Sequence, residues 1–256
     1  MPREYRISED LIISGYGIAY MPNEETVGIS DMHLGFEIYM ESQGFFLPRM
    51  QMKLEEERVE AILREYRPAN VLINGDIKHE FGRNTPQEWV EIRRLFTLLT
   101  GRCNVTVVRG NHDNYIINIA RTFGIRVVRY TDVGRARFAH GDVHVGRKSD
   151  SIVVIGHEHP AIRIVDSVGG SFKFPVFLHF KDDPLLVLPA FSPFALGTDV
   201  LSNWDDFMSP YLSGRDGGSA VAYAVTEGKL KKMGRLSDIR YAGRAGMRNG
   251  VSEGPQ

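Results

Sequence analysis

Five short apolar segments of this chain each end directly in a block of polar residues. The blocks are Asp31-Met32-His33, Gly75-Asp76, Gly110-Asn111-His112-Asp113, His140-Gly141-Asp142 and Gly156-His157-Glu158-His159. The segments before them have the length and the Val/Ile content of buried β-strands. Because strand ends converge at one edge of an α/β sheet, the five blocks can meet in space there. The pattern therefore favours a sheet-based fold with a ligand site at one edge.

Helix signals separate the early strands. The segment Arg49–Tyr66 is amphipathic, and Thr85-Pro86-Gln87-Glu88 is a capping box that predicts the start of a second helix. Strand signals, Val127–Tyr130 among them, dominate the second half and predict sheets packed together with helices outside. We interpret residues 1–240 as one domain and the polar, Gly-rich residues 241–256 as a flexible tail.

Composition excludes several classes of protein. The single cysteine, Cys103, rules out an intrachain disulfide framework and a thiolate-rich zinc site. A net charge of −1 over 256 residues does not indicate a nucleic-acid partner, although a neutral total can hide a local basic patch. The chain has no apolar run of the ~20 residues that a membrane span needs, and no secretory signal is evident. We therefore expect a cytoplasmic protein without a membrane partner.

The five blocks supply carboxylate, amide and imidazole groups. Such a mixed set of oxygen and nitrogen ligands suits divalent transition metals. The Asp-x-His and His-x-His spacings would place both side chains of a pair on the same side of an extended segment, so each pair could bind metal together. The neighbouring glycines allow sharp turns and leave room for an ion and a phosphate.

These blocks, in this order, resemble the calcineurin-like metallophosphoesterase superfamily. The segment Leu188–Pro193 and the block Gly75–Phe81 are most similar to its branch of ICC-like, recombination-nuclease-related phosphoesterases. The resemblance implies a four-layer α/β/β/α sandwich with two mixed β-sheets. It also implies a metal-dependent phosphoesterase, in which a hydroxide between two metals attacks phosphorus in line with the leaving oxygen. We expect a phosphodiesterase, with a phosphomonoesterase as the open alternative.

The resemblance also implies a role for each matched residue. Seven would bind two divalent metals, with Asp76 as the bridge between Asp31, His33 and His159 on one side and Asn111, His140 and His157 on the other. His112 would stabilise the phosphoryl oxygens or protonate the leaving group, and Asp113 would orient His112 and raise its basicity. Manganese is the expected metal, with iron and zinc as alternatives.

Several residues outside the matched positions have open roles. His79 could line the substrate pocket or support the ligands from behind, His144 could replace His140 as a ligand, and His179 is expected to be structural. Four cationic residues could contact substrate phosphate or could be ordinary surface charges: Lys78, Arg83, Arg109 and Arg147. The segment Glu41–Pro48 is a hypothetical lid or subunit contact.

Three functions remain open at this point. The leading one is hydrolysis of a phosphate ester, with a nucleotide or a nucleic acid as a possible substrate. A nuclease that acts on DNA ends in repair is the first alternative. A non-catalytic scaffold is the second, and it is disfavoured because all seven ligand positions and His112 are present. A homodimer is expected only because dimers are the commonest closed assembly.

Overall fold

The computed structural model describes residues 1, 3–82, 85–166 and 168–241. Its first sheet contains seven strands in chain order: β1 (Glu4–Ser8), β2 (Leu11–Ser14), β3 (Ile18–Met21), β4 (Thr26–Ile29), β5 (Asn70–Asn74), β6 (Asn104–Val108) and β7 (Arg126–Val128). Strands β1 to β4 pair antiparallel, whereas β4 to β7 pair parallel. Because β4, β5 and β6 run in the same direction, the polar blocks that follow them lie at the same edge.

The second sheet contains nine strands: β8 (Tyr130–Val133), β9 (Ala136–Ala139), β10 (Ile152–Ile155), β11 (Pro160–Val165), β12 (Ser171–Phe180), β13 (Leu185–Val187), β14 (Thr198–Asp199), β15 (Val221–Thr226) and β16 (Lys229–Arg235). Their order is β14-β11-β12-β13-β10-β9-β8, and β15 pairs with β12 and β16. Strands β9 and β10 are parallel neighbours, so the two histidine blocks that follow them also lie side by side.

Four α-helices are present in the described residues: α1 (Phe36–Ser42), α2 (Gln51–Tyr66), α3 (Pro86–Thr100) and α4 (Ile116–Thr122). The predicted capping box is confirmed, since the Thr85 hydroxyl accepts from the Glu88 amide and the Glu88 carboxylate accepts from the Thr85 amide. The Glu88 carboxylate also accepts from the amide of Glu80, 2.7 Å away. The start of α3 is thereby tied to the loop that follows Asp76.

Three apolar clusters define the layers. The first packs α2, α3 and α4 on the first sheet, and the second fills the space between the two sheets. The third lies on the outer face of the second sheet under residues 199–220, which contain two short 3₁₀-helices, Trp204–Asp206 and Gly217–Ser219. The predicted two-sheet α/β sandwich is confirmed, with an outer layer over the second sheet that is mostly turns in the described residues.

One predicted strand is wrong. The sequence pattern of Val127–Tyr130 predicts a single strand, but the chain leaves the first sheet after β7 and enters the second sheet at β8. The amide of Arg109 donates to the carbonyl of Val128, while Tyr130 already pairs with Ala139. Continuous β-propensity cannot reveal that crossover, because both halves have the same local preference.

The predicted flexible tail lies almost entirely outside the described residues, which end at Tyr241. Within the described part of the chain, no helix is long and apolar enough to span a membrane.

Replacement of Phe138 tests how closely the two sheets pack against each other. Its ring is fully buried on β9 and lies against Gly28 of β4, where an added Cβ would come within 2.8 Å of the ring. We expect Phe138→Ala to lower the free energy of unfolding by about 3–5 kcal/mol, because it removes apolar contacts and leaves a cavity. Denaturant unfolding measures this. The exposed Val143 is the control, and a Phe138→Ala loss as small as that of Val143→Ala would contradict the packing.

Candidate metal centre

The five polar blocks interlock through backbone hydrogen bonds at the ends of their strands. The amide of Asp31 donates to the carbonyl of Gly75 at 3.0 Å, and the amide of His33 donates to the carbonyl of Asp76 at 2.9 Å. In the second sheet, the amide of Gly156 donates to the carbonyl of His140 at 2.8 Å. These bonds fix the loops relative to one another before any side chain is considered.

One group of side chains joins Asp31, His33 and His159. Nε2 of His159 lies 3.1 Å from Nε2 of His33 and 3.3 Å from Oδ1 of Asp31. One ligand atom from each residue lies within 4.8 Å of those from the other two, so a single ion could contact all three.

A second group is centred on His140. Its Nε2 lies 3.0 Å from Oδ1 of Asn111, 3.1 Å from Nδ1 of His157 and 3.3 Å from Oδ2 of Asp76. The same Oδ2 of Asp76 is 3.8 Å from Nε2 of His33, which belongs to the first group. The structure therefore brings all seven predicted ligands together and places Asp76 between the two groups, although metal binding by them stays a prediction.

The backbone of these loops differs from the expected extended form. Five of the ligands have left-handed φ values: Asp31 (59°), His33 (49°), Asp76 (51°), His157 (70°) and His159 (44°). The prediction that alternation along an extended segment aligns the pairs is therefore wrong, and tight turns align them instead. Such conformations cost roughly 1–3 kcal/mol each outside glycine and concentrate at functional sites.

Two glycines leave the space that these turns need. A Cβ on Gly156 would lie 1.8 Å from Oγ of Ser30 and 2.3 Å from Oδ2 of Asp31, and one on Gly110 would lie 2.1 Å from Oδ1 of Asp76. Because the clashing atoms include ligand oxygens, a side chain at either position has to displace a carboxylate of the site.

The replacement Gly156→Ala tests this requirement. We expect the affinity for divalent metal to fall by roughly 10–100-fold, the range seen when the support of a ligand is disturbed. Calorimetric titration of metal-free protein measures the change. Gly146→Ala is the control, since a Cβ there meets no atom within 4 Å. Equal metal affinity in the two variants would show that the close packing around Asp31 is not needed.

The donor set fits a cation. Nδ1 of His140 lies 3.1 Å from the carbonyl of Asn74, which in the neutral ring assigns the proton to Nδ1 and leaves a lone pair on Nε2. That lone pair faces the oxygens of Asn111 and Asp76 and a nitrogen of His157, all of which can accept. Acceptors held this closely need positive charge between them.

The pKa values of the histidines in the metal-free site also indicate that the ligands need positive charge. Burial lowers the pKa of His140, but the carboxylates of Asp76 and Asp31 outweigh it and raise that pKa to about 10. Burial, followed by the charge of His159, lowers the pKa of His33 to about 3. One imidazole thus takes up a proton while another stays neutral, and divalent cations would supply the missing charge for all the ligands.

His112 sits beside this centre. Its amide donates to Oδ1 of Asp76 at 2.9 Å, and its ring Nδ1 lies 2.6 Å from the carbonyl of His79. The carbonyl fixes the proton on Nδ1 and leaves Nε2 as the ring nitrogen available to a substrate. A ligand atom of His112 also lies within 4.8 Å of ligand atoms of His33 and Asp76, so the geometry alone permits a ligand role as well.

The predicted role of Asp113 needs correction. Its carboxylate accepts from the amides of Ile77 and Gly110, each at 2.9 Å, and the group that orients the His112 ring is the carbonyl of His79. Asp113 therefore ties two loops together instead of holding His112. Burial, with help from the charge of Asp76, raises the pKa of Asp113 to about 6. A backbone carbonyl carries no residue-type signal, so the sequence could not reveal its part.

Comparison with known proteins identifies the family of this site. The family model of the calcineurin-like phosphoesterases matches residues 26–204, which include every block described above. The chain belongs to this family. No curated protein sequence matches the chain. This phosphoesterase domain is metal-dependent as a class, and the Asp and His groups are those that could bind the metals.

Two solved structures are similar to this phosphoesterase. The nuclease MPE of Pseudomonas putida is 18% identical, with a TM-score of 0.64 over 89% of this chain and 98% of that chain. It shows that the two share a fold. YfcE, a phosphoesterase from E. coli, is 13% identical over 83% of this chain and 93% of that chain, with a TM-score of 0.40.

His79 lies in an aromatic cluster next to the phosphoesterase centre. Its ring stacks on the ring of His112 with an interplanar angle of 27°. The rings of Phe36 and Tyr39 meet the His79 ring edge to face, with centroid distances of 5.0 and 4.7 Å. Burial, and then the charge of His112, lowers its pKa to about 4. Its carbonyl supports His112, whereas a contact between its ring and substrate stays a prediction.

The other sequence candidates lie elsewhere. His144 stacks on Tyr211 outside the ligand groups, so it does not replace His140. Lys78 is fully buried and donates to the carbonyl of Glu80, which removes it from the substrate surface. Arg147 pairs with Asp183 near the start of β10, at the opposite edge of the sheet.

Three further predictions have simpler outcomes. Arg83 lies outside the described residues. His179 is buried on β12, where burial and Lys181 lower its pKa to about 4. In the segment Glu41–Pro48, Phe45 and Phe46 are 61% and 82% exposed, and the lid or subunit contact stays a prediction.

The sequence patterns did not reveal that the buried side chain of Gln51 supports the Asp31-Met32-His33 block. The side-chain amide of Gln51 lies 2.9 Å from the carbonyls of both Met32 and His33 and 3.1 Å from Oγ of Ser192. The amide of Ser192 in turn donates to the carbonyl of Asp31 at 3.0 Å. A glutamine at the start of an amphipathic helix looks like a surface residue, so only the apolar setting around it could have drawn attention to Gln51.

Proposed function

We propose that this protein is a dinuclear metal-dependent phosphodiesterase. The observation that carries the proposal is the position of Asp76, whose Oδ2 lies 3.8 Å from His33 and 3.3 Å from His140. A carboxylate between two imidazole groups can be shared by two cations. The first cation would be held by Asp31, His33 and His159, and the second by Asn111, His140 and His157.

Bound divalent metals would supply Lewis-acid stabilisation of the phosphoryl oxygens and a more acidic water as nucleophile. The protein residues supply the remaining parts. His112, with Nδ1–H held by the His79 carbonyl, directs Nε2 at the leaving oxygen; when the ring is protonated on both nitrogens, Nε2–H gives that oxygen a proton and the ring becomes neutral. Asp113 keeps the His112 loop against the Asp76 loop through its two amide contacts, so that Nε2 stays beside the centre.

Manganese is the proposed metal, because carboxylate, amide and imidazole ligands accept it readily, with iron and zinc as alternatives. A cytoplasmic location and a homodimer stay predictions from the sequence.

A nuclease that acts on DNA ends is the second candidate. Two observations favour it: the similar fold of a protein named as a nuclease, and two arginines that have no carboxylate partner among the described residues and line a groove together with Asp113 and Asn114. The phosphodiester chemistry would be the same, so the two candidates differ only in the size of the leaving group.

The assay that tests the proposal uses metal-free protein to which manganese, iron or zinc is returned. We expect metal to restore hydrolysis of bis(p-nitrophenyl) phosphate and the diester to be preferred over p-nitrophenyl phosphate. Preference for the monoester would reject the phosphodiesterase proposal. Absence of hydrolysis of either ester with all three metals would favour the non-catalytic scaffold.

A further inference from the structure

A groove of about 710 Å³ is lined by Asp113 and Asn114, the two residues that directly follow His112. Phe81 forms one wall, and its ring meets the His112 ring edge to face at 5.7 Å. Residues 113–118 form the next part of the wall, and residues 127–129, at and just after the end of β7, form the far side. A group that leaves the phosphorus on the His112 side would enter this groove.

The groove carries unbalanced positive charge. Arg109 and Arg129 both line it and are exposed, and among the described residues no carboxylate lies within 4.0 Å of either guanidinium. Arg109 donates to Oδ1 of Asn114 at 2.9 Å, and its other guanidinium donors bind no further acceptor in the part of the chain that the structure describes. Asp113 is the one acidic residue in the described lining, and both of its oxygens already accept backbone amides.

What sets Arg109 and Arg129 apart is that both line one groove next to the His112 loop. Some exposed arginines bind carboxylates, as Arg94 does with Glu56, whereas others, such as Arg64, have no carboxylate within 4.0 Å among the described residues. Two unpaired guanidinium groups in one groove instead fit a phosphate, whose oxygens they can contact bidentately.

The same groove exposes flat apolar surface. Phe81 is 55% exposed and Tyr115 is 57% exposed, although aromatic side chains of this size usually bury most of their area. Tyr115 also has a φ of 67°, a costly conformation for a bulky residue. Planar bases stack on such rings regardless of their sequence.

We propose that this groove binds the leaving strand of a single-stranded oligonucleotide. Arg109 and Arg129 contact the phosphate next to the scissile one, and a base stacks on Phe81 or Tyr115. The inference rests on the proposed phosphodiesterase function and specifies its substrate. A single small nucleotide diester would use only the aromatic walls, whereas a strand also engages the two arginines.

The test compares two substrates on the metal-loaded protein: bis(p-nitrophenyl) phosphate and a single strand of about 12 nucleotides, within the range that one binding channel covers. We expect the double variant Arg109→Ala/Arg129→Ala to lose at least about tenfold more kcat/KM on the strand than on the small diester, mainly through KM. The dependence of log KM on log salt should also flatten by about 1.4, since each single-strand phosphate contact contributes about 0.7.

The control variant removes two positive charges from a strand that does not line the groove. Lys229→Ala/Lys231→Ala changes two exposed lysines on β16 and should leave both substrates unaffected. Arg129→Ala alone keeps the Arg109–Asn114 hydrogen bond and should give about half of the change in salt dependence. Phe81→Ala should weaken strand binding by roughly tenfold, the typical size of one base–ring contact.

The outcomes separate this inference from the proposed function. If the unaltered protein hydrolyses neither substrate, the phosphodiesterase proposal fails. If it hydrolyses the small diester but the arginine variants treat the strand as the unaltered protein does, the groove proposal is overturned and the phosphodiesterase proposal stands. Equal losses on both substrates would also overturn the groove proposal, because they would indicate a disturbed His112 loop.

Discussion

Replacing Asp76 with asparagine is expected to abolish metal-dependent hydrolysis. The substitution keeps the shape of the side chain but removes the negative charge that lies between His33 and His140. The His112 amide also loses a charged acceptor. Because metal catalysis supplies several kcal/mol of transition-state stabilisation, we expect kcat/KM to fall at least roughly a thousandfold.

Metal content and turnover measured on the same sample check this result. Asp205→Asn makes the same chemical change on the exposed outer layer and should have no effect on either quantity. An Asp76→Asn protein that retained its full metal content and normal turnover would show that Asp76 does not bridge the two groups.

Replacing His112 with alanine is expected to separate metal binding from turnover. The ring nitrogen lost is the one left free by the bond between Nδ1 and the His79 carbonyl. Loss of a general acid lowers kcat by roughly 10²–10⁴-fold, and the effect should be largest for an alkyl leaving group and smaller for p-nitrophenol, which needs little protonation.

The metal content of His112→Ala decides between two roles. We expect it to match that of His144→Ala, in which an exposed histidine that stacks on Tyr211 is removed. Loss of metal would instead make His112 a ligand together with His33 and Asp76, as their spacing within 4.8 Å allows. Full turnover on an alkyl ester would reject both roles.

The sequence predicted the convergence of the site well, because it depends on where strands end. Strand ends are visible as apolar segments followed by Gly, Asp, Asn or His, and parallel pairing of β4, β5 and β6 then brings the blocks to one edge. The capping box at Thr85 could also be predicted from the sequence, because its two partners, Thr85 and Glu88, are only three residues apart.

The details that the sequence could not provide depend on the backbone and on distant contacts. The left-handed turns at His33 and His157 contradict the extended geometry inferred from residue spacing. The carbonyl of His79 performs the orienting role expected of Asp113. Gln51 and Ser192 meet across 141 positions of the chain, and no local pattern relates them.

The crossover after β7 is a further example. Its strand residues have the same local preference on both sides, yet the chain changes sheets there and places Arg129 in the wall of the groove that Asp113 and Asn114 also line. The groove that we propose for a nucleic-acid strand therefore depends on topology that could be seen only in three dimensions.

The stoichiometry of metal binding tests the central claim most directly. Metal-free protein would be titrated with manganese in a calorimeter, and bound metal would be counted by elemental analysis while hydrolysis of bis(p-nitrophenyl) phosphate is followed. The two ligand groups that share Asp76 predict two metal ions per chain, with full activity only when both are bound. Full activity at one bound metal per chain, or no specific binding, would contradict the dinuclear centre.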